Sequence, residues 1–189
     1  MTRDFYAQPV LELARALIGC VVTHDGCRGV IVETEAYHAS EPACHAHAGV
    51  TARTSTLFGP PGRAYVYRSY GIHALFNVVA EPEGVGAAVL IRALEPTAGI
   101  ELMRRRRGTE GLRTLCSGPG KLTQALGIDL GLNGSDLLSG PVSIAPRPAE
   151  RKSVRVLADR RIGITKAIEL PWRFCAVESP FLSRRVRAA

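Results

Sequence analysis

The stretch CVVTHDGCRGVIVETEAY, Cys20 to Tyr37, constrains the fold more tightly than any other part of the chain. Two β-rich runs meet at Asp25-Gly26, a dipeptide whose tolerance of positive φ suits the turn of a tight hairpin. Side chains alternate along a strand, so Ile31, Glu33, Glu35 and Tyr37 are expected on one face and Val30, Val32, Thr34 and Ala36 on the other. Two carboxylates and a phenol thus point together. The residues that follow, up to His47, add Glu41, His38, Cys44, His45 and His47, a dense collection of titratable groups.

Around this hairpin the pattern is mixed. QPVLELARALIG places Pro9 at a helix start, with Val10, Leu13, Leu17 and Leu11, Ala14, Ile18 at helical spacing and Gly19 as a stop. From His38 to Arg63 the text is loop-like and closes with FGPPG. AYVYRSY, IHALFNVVA and AAVLIRALE are then three β-rich runs, the last two separated by the turn-forming EPEGVG. TAGIELMRRRR and GPGKLTQALGI read as helices, and short strands are expected around PVSIAP, RVLA and PWRFCAV. With no repeat, low-complexity segment or linker, the expectation is one compact α+β domain over residues 1–189, built on a central, mainly antiparallel sheet flanked by short helices.

Composition narrows the setting. The chain has 189 residues and 46% hydrophobic content, enough for a real core, and no run approaches the length of a membrane span. The first residues carry an acid and lack a cationic head followed by an apolar run, so no secretory signal is read, and an intracellular protein is expected. Five cysteines, odd in number and without a C-x-x-C pair, fit reduced thiols. The net charge is +7, carried by 21 arginines against three lysines. The planar guanidinium donates paired hydrogen bonds to phosphate oxygens, so this balance is compatible with a nucleic-acid partner. A GC-rich coding bias also replaces Lys with Arg.

Three kinds of chemistry are open to the clustered residues. Cys44, His45 and His47 offer metal-ligating atoms, but no second cluster completes a four-ligand zinc site, and the H-x-E with P-C-x-x-C pattern of zinc deaminases is absent; no metal is expected. Glu33 and Glu35, roughly 7 Å apart on one strand face, would influence each other's ionisation if buried. They suit either an ion pair with arginine or a general base that deprotonates water. Tyr37, Tyr65, Tyr67 and Tyr70 gather around the glutamate strand and the next β-run, with Tyr65 and Tyr67 on one face. Aromatics beside a carboxylate describe a pocket where a planar base could be sandwiched while its sugar bond is attacked.

VETEAY, GPPGRAYVYRSYGIHALFNVV, AAVLIRALEP and CSGPGKLTQALGI closely resemble the alkyladenine (3-methyladenine) DNA glycosylase family. The resemblance spans nearly the whole chain, with the blocks in family order. It implies a single-domain fold distinct from helix-hairpin-helix glycosylases, and excision of alkylated purines such as 3-methyladenine and 7-methylguanine, or of deaminated and etheno purines, after flipping them from duplex DNA. By this resemblance Glu35 activates water, Arg92 orients that water, and Glu33 is structural. Tyr37, His45 and Tyr67 line the pocket, Leu90 lines its floor, and Asn77 crowds the exocyclic amino group of guanine. Tyr70 is the wedge that fills the gap left in the duplex, and a backbone carbonyl at Ala176 touches the water. Arg53 and Lys121 are expected at the DNA backbone, and without a lysine nucleophile in these motifs no lyase activity is implied.

The match also implies a monomer acting on double-stranded DNA without cofactor, cytoplasmic and nucleoid-associated or nuclear rather than secreted. The sequence departs from the family pattern in a spacer one residue shorter between Tyr37 and His45, in VTARTST at residues 50–56, and at His47 and His73, positions often aromatic. A non-catalytic nucleic-acid-binding module of the same fold and a hydrolase of free nucleosides are the alternatives. The four arginines Arg104 to Arg107 suit either a phosphate patch or a solvated helix end.

Overall fold

The computed structural model describes residues 1–149 and 153–186. The hairpin forms as expected: β1 (Val21–His24) pairs antiparallel with β2 (Cys27–His38) across a turn in which Asp25 and Gly26 both have positive φ, 42° and 73°. That is the mirror-image turn whose twist matches the strands it joins. β3 (Ala64–Ser69), β4 (His73–Ala80) and β5 (Ala87–Ala98) realise the three β-rich runs, and β6 (Ser143–Ala145), β7 (Val156–Asp159) and β8 (Arg173–Ala176) the three short C-terminal ones. Every pairing among these strands is antiparallel, in the order β3-β4-β5-β2-β1-β6, with β8 paired to β2 and β7. The fold is α+β with a curled antiparallel sheet.

β2 is the axis of the sheet. Along one edge it pairs with β5 over its whole length; along the other, residues 27–30 pair with β1 and residues 33–35 with β8. Glu33 and Glu35 therefore sit mid-sheet, and both are fully buried. Two irregularities interrupt the β2–β5 ladder here. Ile31 faces Leu94 and Glu33 faces Ala93, leaving Val32 as an extra residue on β2; Thr34 then faces Ile91, leaving Arg92 extra on β5. Bulges of this kind re-aim side chains. The expected alternation is corrected accordingly: Ile31 joins Val32 and Ala36 in the main apolar core, while Glu33, Glu35 and Tyr37 remain together.

Helices cover the sheet. α1 (Arg3–Tyr6) and α2 (Val10–Ala16) precede it, and α3 (Ile100–Arg107), α4 (Leu112–Leu115) and α5 (Pro119–Leu126) follow β5. α2 buries Val10, Leu13 and Ala14, with Leu17 and Ile18 just beyond its end, while Leu11 is exposed. The Val10 amide donates to the Glu81 carboxylate at 2.9 Å, and the Thr34 hydroxyl to the Ala14 carbonyl at 2.8 Å, which ties α2 to β2. Neither α1 nor α4 is foreshadowed by periodicity, since each is a single turn. The segment 39–63, expected as loop, contains two short 3-10 turns, His45–Ala48 and Ser55–Phe58. All five cysteines are buried free thiols. Among the described residues no helix is long and apolar enough to cross a membrane.

Candidate active site

A cleft of about 1030 Å³ opens between β3, β4, β5, the start of α5 and the loop after β7. Tyr37, His45, Tyr67, Asn77, Leu90, Arg92, Arg53, Tyr70 and Lys121 all line it. Glu35 lies beneath this surface with no exposed area, and both of its carboxylate oxygens are hydrogen-bonded. Oε2 accepts from the Tyr37 hydroxyl at 2.9 Å and from Arg92 Nη1 at 3.1 Å; Oε1 accepts from the Ile162 amide at 2.7 Å. Burial pushes the Glu35 carboxyl above the usual carboxylate range, against the opposing pull of Arg92, the Ile162 amide and the Tyr37 hydroxyl. Glu33 adds repulsion in the same direction.

Arg92 reaches both acids from the bulge on β5, donating through Nε to Glu33 at 3.1 Å and through Nη1 to Glu35. Although burial works against its charge, the two carboxylates hold its pKa above the ordinary value. The ion-pair reading of the paired glutamates holds for both, since each is bonded to Arg92, and Glu35 lies beneath the cleft lining. Glu33 has the denser set of partners. Arg173 Nε donates to it at 2.8 Å, and the Ser183 amide and hydroxyl donate at 2.6 and 2.7 Å. With four protein donors on its two oxygens, three on Oε1 and one on Oε2, Glu33 is a structural anchor for β2, β5, β8 and the C-terminal segment.

The walls are aromatic. Tyr65 and Tyr67 stack at 5.3 Å between centroids, and His45 meets the Tyr67 ring edge-on at 4.6 Å. His45 Nδ1 lies 3.1 Å from the Tyr65 hydroxyl, and Arg53 places its guanidinium 5.4 Å from the Tyr67 centroid and 3.4 Å from His45 Nε2. Burial, and secondarily the Arg53 charge, lower the His45 pKa, so the ring is neutral at pH 7. Arginine has only donors, which leaves Nε2 as the acceptor and puts the ring proton on Nδ1, directed at Tyr65. Asn77 donates its amide nitrogen to the Tyr65 carbonyl at 3.0 Å and so is fixed in orientation beside Leu90, its partner across the β4–β5 ladder.

The neighbouring metal-ligating types are otherwise employed. Cys44 is buried, with its thiol pushed up to about 11 chiefly by burial, and His47 Nδ1 lies 2.9 Å from the Ala39 carbonyl. His73 lines the cleft against Gly120, where any side chain would meet the imidazole, a Cβ falling 2.9 Å from its Cγ.

Tyr70 stands at the tip of the β3–β4 hairpin, 87% exposed, with Ile72 78% exposed beside it. Tyr70 and Gly71 both adopt positive φ, 50° and 71°, the conformation that glycine accepts and tyrosine resists. Lys121 lies in the first turn of α5, near Arg107, Lys166 and Arg68 on the cleft lining. The arginine run is largely committed to packing α3: Arg104 pairs with Glu101, Arg106 with Asp25, and Arg107 bonds Gln124 and the Leu115 carbonyl.

Several site residues are silent in the sequence. Ala176 pairs with Val156 on β7 and is not among the residues lining the cleft, while the Ile162 amide, which no sequence pattern singles out, donates to Glu35. Arg161, Ile162 and Ser183 lie outside any patterned element. Arg173 alone had a signal, as the one charge inside the strand PWRFCAV.

The family model described as methylpurine-DNA glycosylase matches residues 4–180. A Rhodopseudomonas palustris protein named "Putative 3-methyladenine DNA glycosylase" is 54% identical over 184 residues, covering 97% of this chain and 88% of its own. Proteins of the same name from Nitrobacter winogradskyi and Methanoculleus marisnigri are 52% and 47% identical, covering 100% and 96% of this chain and 89% and 97% of theirs. The chain therefore belongs to the methylpurine-DNA glycosylase family.

Proposed function

We propose that this protein is a monofunctional DNA glycosylase that flips alkylated purines such as 3-methyladenine and 7-methylguanine out of duplex DNA and hydrolyses their N-glycosidic bond. The observation that carries this reading is the buried carboxylate of Glu35 at the base of an aromatic-walled cleft. Three donors hold Glu35, and they favour its anionic form in a place where burial alone would neutralise it. An anion there takes a proton from water and stabilises the positive charge that develops on the sugar as the bond breaks. Arg92 orients the water and keeps Glu35 fixed; Tyr37, His45 and Tyr67 sandwich the base, with Leu90 beneath it.

Alkylation at N3 or N7 makes the purine cationic, so it leaves without protonation. A neutral His45 suits such a base, since an imidazolium would repel it. Asn77, locked by the Tyr65 carbonyl, crowds the position of an exocyclic amine and so disfavours guanine. Hypoxanthine and etheno purines, neutral leaving groups, form the wider range. Tyr70 fills the vacated stack, which offsets part of a flipping cost of a few kcal/mol. Arg53 and Lys121 contact the phosphate backbone. On this reading water is the nucleophile and Lys121 contacts phosphate, so no lyase step follows base release.

The test is purine release from a duplex containing 3-methyladenine or hypoxanthine, read as alkali-labile abasic sites. Wild type is expected to produce them and Glu35→Gln to lose at least about a thousandfold in rate. Equal rates for the two proteins would remove Glu35 from the mechanism, and no release by wild type from any lesion would leave a binding module.

A further inference from the structure

Behind the cleft wall lies Arg161, on the loop after β7, with its side chain fully buried. Nη1 donates to Glu41 Oε1 at 2.7 Å and to the Ala36 carbonyl at 3.0 Å, and Nη2 donates to Glu41 Oε2 at 3.0 Å. This fork-to-fork pair fixes the guanidinium plane as a lysine could not. The plane lies 4.7 Å from the centroid of Tyr37 and 5.3 Å from that of Trp172. Tyr37 lines the cleft and Arg161 does not, so the cation backs the aromatic wall. The next residue, Ile162, donates its amide to Glu35, and residues 162–166 continue as cleft lining. One buried side chain is thus joined to two of the three donors on Glu35.

Resting on the glycosylase reading, we infer that Arg161, clamped by Glu41, is a positioning residue that holds the Tyr37 hydroxyl and the Ile162 amide on Glu35 and so presents it to water as a carboxylate. The groups facing Glu35 are Arg92 from β5, Tyr37 and Glu33 from β2, Tyr67 from β3, Cys175 from β8, and Arg161 with the Ile162 amide from the loop. Arg92 is held independently by Glu33 and remains when the clamp is lost. Loosening the clamp therefore removes hydrogen bonds to the anion without removing its main counter-charge. The carboxyl then titrates at higher pH.

The experiment is the single-turnover rate of purine release from lesion-containing duplex between about pH 5 and pH 8.5. Arg161→Lys keeps a charge and loses the fork. Its acid limb is expected to move up by roughly one pH unit, so that the loss approaches about tenfold at the acid end of the range and shrinks steadily toward pH 8.5. Glu41→Gln is expected to move it the same way, by less. A profile that falls in parallel at every pH, or does not fall, overturns the inference. Near-UV circular dichroism establishes folding of both variants, and a measurement on wild type needs neither: the Ile162 amide proton should exchange as slowly as that of Ala36 on β2. Exchange of Ile162 within the dead time overturns the inference as well. Failure of the glycosylase reading looks different, since wild type itself would then be inactive or Glu35→Gln active.

Discussion

Glu35 is placed where its function costs stability. Its folded-state pKa lies above the unfolded value, so the native state binds the proton more tightly than the unfolded chain does. Stability drawn from this group is therefore present at low pH and lost as pH rises through the folded pKa. Glu35→Gln removes that loss while Arg92 keeps Glu33 as partner. The variant is expected to melt at least as high as wild type, with its advantage growing as the pH rises above the ordinary glutamate range in thermal unfolding curves. Arg92→Met has the opposite outcome. It strips a counter-charge from two fully buried acids and should cost about 3–5 kcal/mol in denaturant titrations. A pair of substitutions at the two ends of one 3.1 Å ion pair thus separates the base from its scaffold: one loses activity and keeps the fold, the other loses both.

At the scale of elements, the hairpin β3–β4 and the bulged strands β2 and β5 divide the work. The exposed tip bears no core load, so Tyr70→Ala should leave the melting temperature within about 2 °C, a surface change at a strained φ. Excision should fall most for a lesion in a well-paired duplex and least for the same lesion opposite a mismatch or in a single strand, where less stacking is lost. Comparing rates on those three substrates checks it. Local rules suffice to read these elements from sequence: Asp25-Gly26 announces a turn, alternation announces Tyr65 and Tyr67 on one face, and 3.6-residue spacing announces α2. The bulges at Val32 and Arg92 are not legible, because which residue is left out of a ladder is decided by the partner strand and the packing beneath. Without them Arg92 and the glutamates cannot be seen to converge, and only the family resemblance linked them. Arg161 and Ile162 escape for a similar reason, as their roles come from contacts 120 or more residues away.

For the molecule as a whole, positive charge gathers around the cleft. Arg53, Arg68, Lys121 and Lys166 border the cleft on a chain of net charge +7. Affinity for undamaged duplex should fall steeply with salt, and Lys121→Ala should reduce the slope of log K against log salt by about 0.9 if it holds one phosphate; fluorescence anisotropy at several salt concentrations measures both. The three ligands of Glu33 carry a different message, about time. Arg92 comes from the middle of the chain, Arg173 from near its end, and Ser183 from later still. β2 precedes all three in the chain, so its buried acid is fully hydrogen-bonded only once the segment around Ser183 has docked.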